Sequence, residues 1–288
     1  MAKLKYTFKS DILFKMLFVK YPELLKRLVS ALLSIPYESI TEFTITNGEM
    51  PPEAIKKKFC RLDIAMVVSG QRVNLEIQVE NEGNFPERAL FHWARQYSLA
   101  LPEKENYSAL PRTVMIGIVH FKMSKGKDFH SEYEALEVKR HTRLSDKFSV
   151  HIYELPKLPK TVNSKSGMEL WMALFKAKTE DDLAKIEKME VEVMSEAIGA
   201  YRHISASPEY QEMERLRSKA GHDEAQALRN ATLKERKKWE RVFAAKEADL
   251  AAKDADLAAM NADLAAMNAA LAEQAALIAE LQAKLDKQ

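Results

Sequence analysis

The stretch RLDIAMVVSGQRVNLEIQVE, Arg61 to Glu80, alternates so regularly that one strand pairing satisfies it and its neighbours do not. A two-residue turn at Ser69-Gly70 sets Val68 against Gln71, Met66 against Val73, Ile64 against Leu75 and Leu62 against Ile77. The last three pairs make a wholly apolar face. The other face pairs Ala65 with Asn74, Arg61 with Gln78 and Asp63 with Glu76. A slip of one residue sets apolar side chains against polar ones along the whole pair. The pairing brings two carboxylates together, their Cβ atoms roughly 4.5–5.5 Å apart. Either one keeps its proton, or a cation sits between them, or the face is solvated and Arg61 or Arg72 neutralises the acids. A hard divalent cation such as Mg²⁺ takes one or two carboxylates plus water and phosphate oxygens. Gln78 shares the face of Glu76, and the Ile77 carbonyl is a further candidate oxygen ligand.

The rest of the chain supplies the partners of a sheet. Residues 10–34 read as helix with a break near Pro22, capped by Ser10 and with Asp11 in the first turn. Residues 39–49 alternate like a strand, and PPEAIKKK is a polar connector. Residues 84–101 read as a helix with Pro86 in its first turn and Pro102 at its end. RTVMIGIVHF has the near-continuous apolar character of a central strand. SEYEALEVKR and KFSVHIYEL are two more strands. Helix, strands, helix and strands in this order predict an α/β fold with a mixed sheet. From about residue 166 the pattern is helical. GMELWMALFKA is one helix. A Thr179–Asp182 capping box opens a second over 180–204, and a charged third runs over 208–242.

The tail repeats every seven residues. Leu250, Leu257, Leu264, Leu271, Ile278 and Leu285 mark one heptad position, and Lys253, Met260, Met267, Gln274 and Leu281 the position three further on. Ala fills 18 of the 40 positions from 244 to 283, which favours helix but thins any interface. The tail is either a solvated Ala-rich helix or a stalk for self-association. Residues 250–288 carry three Lys against six acids, so the +2 net charge of the chain hides a body of +5 over 1–249. A mildly basic body permits a nucleic-acid partner. The single cysteine, Cys60, excludes an internal disulfide and suits a reducing, cytoplasmic location. There is no signal-like apolar N-terminus, and no run approaches the roughly 18 apolar residues of a membrane span, so no membrane partner is expected.

Other chemistry-bearing residues are fewer. Arg88, His92 and Arg95 share one stripe of the 84–101 helix, either a solvated face or a cradle for a phosphodiester backbone. His130, His141 and His151 lack metal-ligand spacing, and His120 is distant from acids in sequence; all read as strand or surface histidines. Cys60 lacks a cysteine partner and reads as packed. No phosphate-binding glycine motif is present, and the chain has only 8 Gly.

Four blocks, YTFKSDILFKMLF, RLDIAMVVSGQRVNLEIQVENEGNFPERALFHWARQYSLAL, YSALPRTVMIGIVHF and FSVHIYEL, together resemble the Rpn family of recombination-promoting nucleases and putative transposases. That family is a branch of the PD-(D/E)XK nuclease superfamily. The resemblance spans residues 6–157, and the charged helical region and tail are similar to the variable C-terminal extensions of such proteins. It implies an αβββαβ restriction-endonuclease-like core over 1–160, a helical extension over 161–243 and a coiled-coil tail over 244–288. It implies that Asp63 and Glu76 are the motif acids, with Gln78 where a Lys is usual. Asp11 matches the family's upstream helical acid; alternatively it is a first-turn Asp paired with Lys15. The implied activity is DNA endonuclease chemistry with Mg²⁺, or Mn²⁺ in its place, bound by Asp63, Glu76, the Ile77 carbonyl and Asp11. Arg88, Arg95 and His92 would contact DNA. Gln is neither acid nor base near neutral pH, so water activation falls to the metal. The alternative is a weak or inactive DNA-binding scaffold on the same fold, oligomerised by its heptads.

Overall fold

The computed structural model describes residues 2–47, 64–101 and 104–285, with side chains as far as residue 282. The chain divides into two compact units, Met1–His222 and Asp223–Gln288. In the first unit, α1 (Asp11–Lys20) starts where Ser10 accepts a hydrogen bond from the Leu13 N–H at 3.2 Å. It ends at Tyr21, which the following proline keeps out of the helical region (φ −125°, ψ 70°), and Pro22 opens α2 (Pro22–Leu33). The break expected near Pro22 is therefore present.

Six strands form one mixed sheet in the order β1-β2-β3-β4-β6-β5. They are β1 (Phe43–Ile45), β2 (Ile64–Val68), β3 (Gln71–Gln78), β4 (Thr113–Val119), β5 (His130–Tyr133) and β6 (Phe148–Glu154). β1, β2 and β3 are antiparallel neighbours, β3, β4 and β6 are parallel, and β5 returns antiparallel to β6. The hairpin register is the expected one, Ile64 against Leu75 through Val68 against Gln71. Its turn residues Ser69 and Gly70 both have positive φ, 47° and 76°, as a tight hairpin of matching twist requires. β4 is central and buried along its whole length, as its unbroken apolar run predicts.

Helix α3 (Phe85–Ser98) connects β3 to β4 and covers one sheet face with Phe85 and Ala89. The other face carries Ile64, Leu75, Ile77, Val114, Ile116 and Ile118, which join one continuous core with α1, α2, α4 (Gly167–Lys176), α5 (Glu180–Glu187) and α6 (Glu192–Ala206). The Thr179–Asp182 capping box is formed in both directions.

Three element expectations change. Within the described residues 39–47, the strand expected over 39–49 shrinks to the three residues of β1. That over 131–140 retracts to β5, because the chain turns instead through Leu136–Arg143 with His141 at φ 56°. The single helix expected over 180–204 is α5 and α6, separated by Glu190 at φ 57°, which an α-helix does not accept. Conversely, the charged stretch and the repeat run on as one helix, α7 (Pro208–Leu285).

In the second unit the heptad residues are open. Leu250, Leu257, Leu264, Leu271 and Ile278 are each more than half exposed, and so are Met260, Met267 and Leu281. Against the expectation from sequence, Pro208–Gln282 includes one 18-residue window of mean hydropathy 1.2, long and apolar enough to cross a membrane by length and composition. A lipid-facing helix is apolar all round, whereas this stretch is interrupted by Asn268, Glu273, Gln274 and Glu280.

Candidate functional site

Strand β3 carries a row of three buried polar residues under α3: Asn74 (1% exposed), Glu76 (1%) and Gln78 (4%). Period-two alternation puts them on one face, while Leu75 and Ile77 point into the opposite core. A buried carboxylate is costly unless it is paired. Glu76 is paired: Arg88, one turn into α3, donates from Nη2 to Glu76 Oε1. Among the described residues the cation paired with this acid is Arg88, from the helix stripe, and not Arg72 of the hairpin; Arg61 lies outside the described residues.

Packing sets that approach. Gly117 is the register partner of Glu76 on β4. A Cβ there would lie 2.6 Å from Cζ of Phe85, so only glycine lets the first turn of α3 sit this close to the sheet. Phe85 fills the space and Arg88 follows three residues later.

Gln78 donates from Nε2 to the Glu80 carbonyl at 2.7 Å, and its backbone carbonyl accepts from the His120 backbone N–H at 2.9 Å. The side chain is tethered at the end of the strand. Asn74 donates to Met115 Sδ at 3.2 Å, and its buried Oδ1 has no hydrogen-bond partner among the described residues. Alternation alone marks Asn74 as a neighbour of Glu76, but only burial separates it from an ordinary strand amide.

The remaining expected residues divide. Asp63 lies outside the described residues, as does Cys60, so the opposition of Asp63 to Glu76 rests on the hairpin pattern. Arg95 is exposed and His92 half-buried, its ring edge-on to Phe91. Asp11 pairs with Arg217 of α7 at 2.7 Å, a partner 206 residues away that helix spacing does not suggest. Ile77 turns its side chain into the core.

Two histidines read separately in sequence meet in space. His130 Nε2 and His151 Nδ1 lie 3.1 Å apart, and His151 Nε2 lies 2.9 Å from Ser149 Oγ. Burial pulls His151 down to about 4, outweighing the opposing pull of Glu132, and lowers His130 as well. His120 falls to about 4 through burial first, then the charges of Lys9 and Lys178.

Among the described residues no group of three or more His, Cys, Asp or Glu is arranged to hold a metal ion. The donors beside one another on β3, the Glu76 carboxylate and the Gln78 amide, are hard oxygen ligands. They suit Mg²⁺ or Mn²⁺ rather than the N and S chemistry of zinc, and Asp63 would add the second carboxylate. The residues fit a site that keeps positions open for water and a phosphate oxygen.

No curated protein and no solved structure matches the chain. A family model does: PD-(D/E)XK nuclease family transposase matches residues 8–231, which takes in the whole sheet, α3 with Arg88, and the first turns of α7. With the mixed sheet, the buried strand glutamate and the glutamine two residues on, this match makes the chain a member of the PD-(D/E)XK nuclease family transposases.

Proposed function

We propose that the chain is a Mg²⁺-dependent DNA endonuclease. The observation that carries this reading is Glu76, a carboxylate 1% exposed on a sheet strand of a nuclease-family fold, with a guanidinium brought to it across a glycine. Asp63 directly precedes Ile64, the last described residue of the hairpin ladder, and with Glu76 would hold the metal. A bound divalent ion supplies Lewis acidity toward water and the scissile phosphate. Glu76 provides a fixed oxygen ligand. Gln78, held by the Glu80 carbonyl, orients water or a phosphate oxygen by hydrogen bonding and takes no proton. Arg88 keeps the Glu76 carboxylate in place, and its planar guanidinium suits a phosphodiester oxygen when substrate arrives. Arg95, exposed farther along α3, extends the same positive stripe, with His92 between them. Asp11 is left to its Arg217 pair.

A second copy of the chain would pair along the exposed heptads, in the bacterial cytoplasm, with recombination, transposition or defence as the setting that the family suggests. The test is cleavage of plasmid DNA with Mg²⁺ by wild type, Asp63→Ala and Glu76→Ala. Loss in both variants is expected, and equal activity in all three removes the mechanism.

One observation favours a second reading, a DNA-binding scaffold without cleavage. The Glu76–Arg88 pair and the Gln78–Glu80 tether already engage both groups. Calorimetric titration with Mg²⁺ separates the two: absence of metal binding in wild type supports the scaffold, and binding lost in Asp63→Asn supports the nuclease.

A further inference from the structure

Away from Glu76 the Met1–His222 unit has a hollow with an excess of positive charge. A cavity of 640 Å³ lies between the loop after β6 and helices α4 and α5. Lys160 reaches it from the loop, Lys176 from the last turn of α4, Lys178 from the turn before α5, Lys185 from α5 and Lys188 from its C-cap. All five are exposed, and among the described residues none of their ammonium groups is in a hydrogen bond or ion pair. The one acid in the lining, Asp182, is engaged: its Oδ2 accepts from the Lys178 and Thr179 backbone N–H groups at 3.0 Å each. The floor is aliphatic, with Leu158 and Ile186 buried. Five like charges converging on one hollow repel one another and raise its potential. A solvated lysine face would spread them over convex surface instead.

A second hollow of 500 Å³ is lined by Pro156 and Lys157, the residues just before Leu158 of the first, together with the loop after β4. Here Lys122, Lys125 and Lys127 stand on a loop anchored from beneath. The buried Glu154 accepts from Met123 N–H at 2.7 Å, from Ser124 Oγ at 2.6 Å and from Lys157 Nζ at 2.7 Å. The anchor uses Lys157 and leaves the three loop lysines without an ion-pair partner among the described residues.

This surface follows the carboxyl ends of β4 and β6, parallel to β3, so it begins at the end of the sheet where Gln78 lies. His120 lies at this end of the sheet: its backbone N–H donates to the Gln78 backbone carbonyl, and the charges of Lys9 and Lys178 act on its ring.

We propose that these lysines form a groove that holds the phosphodiester backbone of the nucleic-acid substrate beyond the scissile position. The proposal rests on the nuclease reading and names where that substrate runs. A polyanion is favoured over a small anion because the cations occupy two hollows, more than one small anion can fill. Lysine rather than arginine suits contact with phosphate without reading of bases.

The test uses the full-length chain carrying Glu76→Gln, so that binding is measured without cutting. Anisotropy of a labelled duplex of about 30 base pairs is followed between about 50 and 200 mM salt. Lys160, Lys176, Lys178, Lys185 and Lys188 are replaced together by Gln in one variant and by Arg in another. The Gln set is expected to weaken binding about tenfold or more, and to lower the slope of log affinity against log salt by about 0.9 for each phosphate no longer neutralised. The Arg set, which keeps the charges, is expected to retain both. Unchanged affinity and slope in the Gln set overturns the groove. So does equal weakening by both sets, or saturable binding of a single nucleoside monophosphate that the Gln set abolishes while duplex affinity stays. Cleavage by the wild-type chain with Mg²⁺ is scored separately. No cleavage with lysine-dependent binding intact removes the nuclease reading and leaves the groove. Cleavage with lysine-independent binding removes the groove alone.

Discussion

Replacing Gly117 by Ala tests whether the approach of α3 to the sheet is what builds the site. The new Cβ would lie 2.6 Å from Phe85 Cζ and 3.0 Å from Cε1. Carbon atoms rest about 3.5–4.0 Å apart, so the overlap is about 1 Å. Phe85 is 2% exposed among Ala89, Met115 and Val119, and Phe121 meets its ring edge-on at 6.0 Å. The ring must push into that cluster, or the first turn of α3 must lift. Overpacking of this kind costs about 1–3 kcal/mol. In a unit the size of Met1–His222, about 2 kcal/mol corresponds to a fall in Tm of roughly 4–8 °C. Arg88 follows Phe85 on the same helix, so a lifted turn also loosens its grip on Glu76, and DNA cleavage with Mg²⁺ should fall more than stability alone accounts for. Phe85→Leu removes the clashing Cζ, so Gly117→Ala should cost less in that background, with a coupling of about 1 kcal/mol. Thermal unfolding by circular dichroism of the four proteins in the cycle measures it. A Gly117→Ala protein as stable as wild type, or strict additivity with Phe85→Leu, would refute the reasoning.

Removing Arg88 as Arg88→Met leaves Glu76 without its guanidinium. Breaking such a pair costs about 3–5 kcal/mol when fully buried, and less here because the Arg88 side chain is 20% exposed. Urea unfolding should show a clear loss that Glu76→Gln in the same chain partly restores. Burial holds His120 and His151 near 4, below the ordinary histidine value of about 6.5. The unfolded chain therefore binds protons first, so their contribution is complete above about pH 6.5 and is lost as pH falls toward 4. His120→Gln with His151→Gln should flatten that limb of stability against pH in denaturant titrations. For the tail, Leu257→Glu with Leu264→Glu, or deletion of residues 244–288, should lower the solution mass measured by light scattering. An unchanged mass in both would count against pairing through the heptads.

Much of the frame is legible in the residues themselves. Period-two alternation is enough to set the β2–β3 register, since a one-residue slip exposes the whole apolar set. The Ser10 cap, the break before Pro22 and the Thr179–Asp182 box are legible because each acts within a few residues of itself. Glu76 and Gln78 follow from the same alternation, and the family blocks attach chemistry to them. Alternation does not show where a strand stops, which is why β1 and β5 are shorter than their patterns.

Tertiary structure decides what depends on elements far apart in the chain. Arg88 of α3 meets Glu76, twelve residues away, because Gly117 lets α3 descend. Asp11 finds Arg217, 206 residues away, and His130 and His151, unrelated by spacing, come into contact through β5 and β6. The five lysines make a hollow only when α4, α5 and the loop after β6 pack together. Local periodicity specifies which way a side chain faces. What it faces is set by which distant surface the core places there, and hydrophobic packing of the whole unit makes that choice.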